Sequence, residues 1–196
     1  MLRTIFFILP SLLFSYACPE LFNKFPNHYF VETGSLEGAG IEGALKAGFS
    51  EIHSIELFER WYLLCTEKFK QNPNVHLWQG DSSVVLEEVI SEIREPITFW
   101  LDGHWSGQGT ALGETKTPIM KELEAIQRHP IKTHTILIDD VRCFGTDDFD
   151  FIQLSEVTDK ILEINPNYVI TYESGRFPMD ILVARIISPA FQRQRR

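Results

Sequence analysis

Five groups of residues carry side chains able to do chemistry. The first, Glu32-Thr33-Gly34-Ser35-Leu36-Glu37-Gly38-Ala39-Gly40, sets glycines among carboxylates. Glycine lets a backbone turn tightly and approach a ligand, although turns alone also select it. Gly38 to Gly43 spells the dinucleotide string GxGxxG, but Gly40 and Gly43 fall inside the predicted helix rather than in the turn. Glu56 ends an apolar run, where a carboxylate can accept both hydroxyls of a ribose or simply face solvent. Gly80-Asp81-Ser82 offers Asp81 to an adenine amino group and equally as a helix cap. Asp102-Gly103-His104 and Asp139-Asp140 bring three acids and an imidazole. Converging acids repel unless a cation or hydrogen bonds compensate. Oxygen ligands suit Mg²⁺ or a similar hard ion. The alternative has Asp102 hydrogen-bonding a ligand while Asp139 and Asp140 face water. His104 is placed as a general base, or as a residue holding its loop.

These groups share one property: each follows a predicted strand. Strands are expected at His28–Gly34, Glu51–Leu57, Val75–Gly80, Pro96–Asp102 and His134–Asp139. Helices are expected at Ser35–Gly48, closed by Gly48, at Glu59–Gln71, and after Asp81. A polar, glycine-rich loop covers Gly103–Thr117. Thr117 then caps a helix that Pro118 opens, with Ile119, Leu123 and Ile126 as its apolar stripe. A further helix is expected over Phe149–Ile164, stopped by Asn165-Pro166-Asn167. Tyr168–Tyr172 and Met179–Ile187 have no helix between them and must pair as an antiparallel hairpin. Five βα units and a hairpin mean an α/β fold with a largely parallel sheet and right-handed crossovers. In such sheets the ligand lies beyond the carboxyl ends of the strands, where strand order reverses.

Composition bounds the function. The chain has 196 residues, enough for one domain and hardly two. Its 44% hydrophobic and 23% charged content excludes a disordered chain. The net charge of −9 argues against nucleic acid as a partner, because phosphate binding draws on lysine and arginine. Cys18, Cys65 and Cys143 form no CxxC pair and no disulfide framework. Residues 1–18 (MLRTIFFILPSLLFSYAC) place Arg3 before an apolar run and small residues ahead of Cys18. That is the pattern of a secretory signal or a membrane anchor, so the fold is expected over 19–196 as a single domain.

The series Glu32-x-Gly34 with following glycines, Glu56, Gly80-Asp81 and Asp102, closed by an antiparallel hairpin, resembles the class I S-adenosylmethionine-dependent methyltransferases over about residues 28–187. The resemblance implies a Rossmann-like, doubly wound sheet of seven strands in the order 3-2-1-4-5-7-6, with strand seven antiparallel. It implies S-adenosylmethionine as cofactor, with Glu32 and Gly34 against its methionine part, Glu56 on the ribose and Asp81 on the adenine. Ser35, Gly38, Gly80, Ser82 and Asp102 complete the candidate cofactor contacts. The acids Asp102, Asp139 and Asp140 are similar to the Mg²⁺ ligands of metal-dependent O-methyltransferases of the catechol and macrocin type. Two departures stand out: Leu36 occupies the place of the middle glycine, and no lysine follows Asp102 as base. His104 and Asp102 are then the catalytic candidates. The expected reaction is O-methylation of a small molecule or sugar hydroxyl. A nicotinamide-dependent oxidoreductase and a non-catalytic nucleotide-binding module are the alternatives; the terminal hairpin and Glu32 speak against the oxidoreductase.

Overall fold

The apolar runs pair into one seven-stranded sheet in the order β3-β2-β1-β4-β5-β7-β6. The coordinates are a computed structural model and describe residues 19–107 and 109–187. The strands are β1 (Tyr29–Thr33), β2 (Glu51–Glu56), β3 (Val75–Gln79), β4 (Ile97–Leu101), β5 (Thr135–Ile138), β6 (Val169–Glu173) and β7 (Ile181–Arg185). β1 to β5 run parallel, and β7 lies antiparallel between β5 and β6. The expected strand order and the reversed strand are both present. The leader-like residues 1–18 and the basic residues Arg193, Arg195 and Arg196 lie outside the described residues. No described helix is long and apolar enough to cross a membrane.

Two apolar cores sandwich the sheet, because side chains alternate between its faces. On one face Val31, Ile55, Phe99, Leu101, Ile136 and Ile138 pack against α4 (Ser82–Ile90), α5 (Ile119–Arg128) and α6 (Leu154–Ile164). On the other, Phe30, Ile52, Trp100, Leu137 and Val183 pack against α2 (Ala39–Ala47) and α3 (Glu59–Phe69). Helices on both faces make the sheet doubly wound.

The structure departs from the expected elements in four places. A short helix, α1 (Pro19–Phe22), precedes β1; its Phe22 is fully buried against Phe30 and Trp100. Four residues are too few to show helical periodicity in a sequence. α2 starts at Ala39 rather than Ser35, because Leu36 and Gly38 take left-handed backbone. α5 begins after Pro118, and the Thr117 hydroxyl stands 3.5 Å from the Ile119 N–H, too far for a firm cap. α6 begins at Leu154 rather than Phe149. Asp150 and Phe151 are left-handed and break the helix, and a Gln153–Glu156 capping box starts it again.

Register levels the chemistry. Glu32 pairs with Ser54 on β2 and Trp100 on β4, and Glu56 pairs with Gln79 on β3. The carboxyl ends of four neighbouring strands therefore deliver Glu32, Glu56, Asp81 and Asp102 to one edge of the sheet.

Candidate cofactor and acceptor site

An open cleft of about 1010 Å³, solvent at its mouth included, lies on that edge. Glu32, Gly34, Ser35, Glu56, Gly80, Asp81, Ser82, Asp102 and His104 all line it. Reversal of strand order between β1 and β4 opens the crevice, and the glycine turn enters it there.

Gly34 sits where the turn after β1 touches the loop after β4. Its φ is +83°, and a side chain would strike the Asp102 carbonyl. Leu36, which stands where a middle glycine was expected, takes left-handed backbone at φ +45°. Its N–H donates to Glu56 Oε2 at 2.8 Å, while the Phe58 N–H donates to Oε1 at 2.7 Å. Two loops thus hold the Glu56 carboxylate, and each oxygen keeps acceptor capacity toward the cleft. Burial raises its pKa, against the backbone hydrogen bonds that lower it.

Glu32 is buried more deeply. The Ser54 hydroxyl donates to it at 2.5 Å and lies 2.5 Å from the Ser35 hydroxyl. Burial holds its carboxyl well above the usual range. Its carboxylate fills the space beside Gly40, where a Cβ would collide with it. Asp81 caps α4 by accepting the Ser83 N–H at 2.9 Å, and Gly113 of the long loop lies against its other oxygen. The loop over 103–117 is tied down at both sides. Trp61 on α3 donates to the Gly109 carbonyl at 2.7 Å, and Asp150 accepts the Lys116 N–H at 2.7 Å.

Gly38 does not line the cleft. A side chain there would meet Phe69 and Cys65 on α3, so this glycine serves helix packing rather than a ligand.

The acceptor end is arranged around His104. Its Nδ1 lies 3.3 Å from Asp102 Oδ1 and its Nε2 lies 3.0 Å from Asp140 Oδ2. Both ring nitrogens face carboxylates, a setting that favours the charged ring, and Nε2 also lies 3.0 Å from the Ser106 hydroxyl. Burial disfavours that charge, but the two acids push the pKa up to about 10. That charge stands against the expectation of His104 as the base, because an imidazolium has no lone pair to offer. Arg142 pairs with both Asp140 and the buried Asp180. Against burial, His104 and Arg142 hold the Asp140 carboxyl below its ordinary value. Asp139 accepts the Asp140 N–H at 2.9 Å; burial, then Asp102 and Asp140, push it up to about 8.

The acids expected as one Mg²⁺ site divide between two groups, Asp102–His104–Asp140 and Asp139–Asp140–Asp180. Asp102, Asp139 and Asp140 do not form a common donor set among the described residues. His104 and Arg142 already supply the positive charge that the acids need, and a nitrogen stands where a hard ion would want oxygen. These residues do not fit the expected Mg²⁺ site. The S-adenosylmethionine site does fit. The cleft is acidic, which suits a sulfonium, and the anchored Glu56 carboxylate lines it.

Arg142, Asp180 and Ser54 were not legible as site residues. Arg142 follows Asp139-Asp140 closely, but only the β5–β7 pairing brings Asp180 to it.

No family model and no curated protein matches the chain. Solved structures do. Rv0187 from MTB, crystallised with its cofactor bound, superposes with a TM-score of 0.59 at 15% identity, covering 91% of this chain and 84% of that one. The O-methyltransferase from Bacillus cereus in complex with S-adenosylhomocysteine (SAH) gives 0.58 at 14% identity, covering 85% and 78%. An rRNA methylase from Streptococcus thermophilus gives 0.53 at 11% identity, covering 87% and 94%. The strand order, the reversed seventh strand and these superpositions together establish that the chain has the class I S-adenosylmethionine-dependent methyltransferase fold.

Proposed function

We propose that this protein is an S-adenosylmethionine-dependent methyltransferase that modifies a hydroxyl of a small molecule. The observation that carries the reading is the Glu56 carboxylate, anchored by the Leu36 and Phe58 N–H groups at the rim of an acidic cleft. Solved proteins of this fold hold SAH or their cofactor, which supports the same reading. When bound, S-adenosylmethionine supplies a methyl group already activated on sulfur; the C–S bond breaks as the O–C bond forms.

The chain's own residues then have three tasks. Glu56 binds the ribose hydroxyls and Asp81 the adenine amino group. The buried Glu32, with Ser35 and Ser54, shapes the floor under the methionine end. Asp102, which lines the cleft, takes the proton from the acceptor hydroxyl, and His104 holds that carboxylate in place. Holding two reactants in one orientation is the main source of rate here, since the methyl needs no further activation. The loop over 103–117 excludes water and carries Trp105 and Lys116 to the acceptor side. The −9 charge favours a small acceptor over RNA.

Isothermal calorimetry with SAH and with NAD tests the reading. SAH should bind the wild-type chain and NAD should not. Binding of NAD alone would replace this reading with the oxidoreductase one.

A further inference from the structure

One buried carboxylate lies outside the cleft and is untouched by the reaction described above. Glu122, in the first turn of α5, is 1% exposed. Ser82 at the start of α4 donates to its Oε1 at 2.6 Å. The Thr33 hydroxyl at the end of β1 faces the same carboxylate and favours its charged form. Thr33 in turn receives the Asp102 N–H, through its carbonyl at 3.2 Å and its hydroxyl at 3.3 Å. Gly103 lies directly over this meeting point. A Cβ there would stand 3.2 Å from Thr33 Oγ1, 3.3 Å from Glu122 Oε1 and 3.3 Å from Ser82 Oγ. Glu122 also borders the small hollow behind Asp102 and His104.

A carboxylate in an apolar core is costly, and leucine of similar size would pack there without that cost. The position joins three elements that hold different ends of the cleft. Ser82 follows the adenine-side Asp81, Thr33 follows Glu32, and Asp102 stands at the acceptor end. A rigid link among them fixes the span that a ligand reaching from adenine to sulfur must match.

We propose that Glu122 is a positioning residue: its carboxylate ties the Asp81–Ser82 turn to the β1 and β4 ends and so sets the distance between the adenine and methyl-transfer ends of the cleft. The proposal rests on the cofactor reading above.

Calorimetry with SAH and with adenosine, on wild type, Glu122→Leu and Glu122→Gln, tests it. Glu122→Leu should keep or raise the thermal midpoint without ligand, yet weaken SAH by about tenfold or more, a difference of about 1.4 kcal/mol. Adenosine, which occupies one end only, should lose less than about threefold. Glu122→Gln, which still bonds both hydroxyls, should recover most of the SAH affinity. If Glu122→Leu does not fold, Thr33→Val cuts the same link and should show the same gap between SAH and adenosine. Equal SAH affinity in wild type and a folded variant would overturn the proposal. So would parallel losses of SAH and adenosine. A wild-type chain that binds neither compound refutes the cofactor reading, and this proposal with it.

Discussion

Glu56 shows how one side chain can be held for a ligand by backbone alone. Its oxygens are bonded by N–H groups from two different loops, so no side-chain rotamer has to be frozen at the moment of binding. Glu56→Ala should weaken SAH by about 10- to 100-fold, as charged hydrogen bonds are worth about 1.5–3 kcal/mol. Calorimetry reads the loss, and circular dichroism shows whether the Leu36 and Phe58 loops survive. The acceptor end leads to a second expectation. Because His104 and Arg142 satisfy Asp102, Asp140 and Asp180, EDTA should change neither the thermal midpoint nor SAH affinity. A Mg²⁺-dependent rise in either would show the acids regrouping around an ion. At this scale the sequence named most of the cleft, since acids and glycines after strands have few other places to go. It misassigned Gly38, whose neighbour Phe69 lies 31 positions along the chain. It also grouped Asp102, Asp139 and Asp140 as one set, because sequence order cannot show an imidazole lying between two of them.

The elements carry the site through their ends. α1 was not legible, yet its Phe22 fills a slot between Phe30 and Trp100 beneath β1 and β4. Phe22→Ala should cost about 3–5 kcal/mol, the usual price of a large core cavity. Urea denaturation measures it, and an effect under about 1 kcal/mol would mean that α1 only rests on the domain. Strands were the most legible elements. β4 is buried at every position and, Thr98 apart, reads as an apolar run. Helix starts were less legible. The α2 and α6 starts depend on left-handed residues at Leu36, Gly38, Asp150 and Phe151, and only glycine among these announces such backbone.

The whole molecule stores its charge imbalance in stability. Burial pushes Glu122 up to about 7 and Asp139 up to about 8, and the flanking acids push His104 up to about 10 against burial. Each binds a proton in the folded chain that the unfolded chain has released. Stability should therefore fall as pH rises through about 7, 8 and 10, by up to about 1.4 kcal/mol per pH unit for each proton. On the acid side two histidines oppose this trend. Burial lowers His134 from 6.5 to about 3 and His53 to about 4. Charging them takes stability away as pH falls below 6.5, against the stability that protons on Glu122 and Asp139 still add there. Thermal midpoints from pH 4 to pH 10 test both limbs. Asp139→Asn should flatten the alkaline limb up to about pH 8; an unchanged slope would remove Asp139 from the account.

The sequence by itself determined the alternation of strand and helix, the reversed final strand and the row of acids behind the strands. These depend on hydrophobic period and on turn chemistry, which are local. Tertiary structure alone decided which acids meet, which cation each one meets, and that Glu122 from a distant helix lies beneath the cleft floor. The pairs His104–Asp140, Arg142–Asp180 and Ser82–Glu122 lie 36 to 40 positions apart, and packing two layers of helices on one twisted sheet is what brings them together.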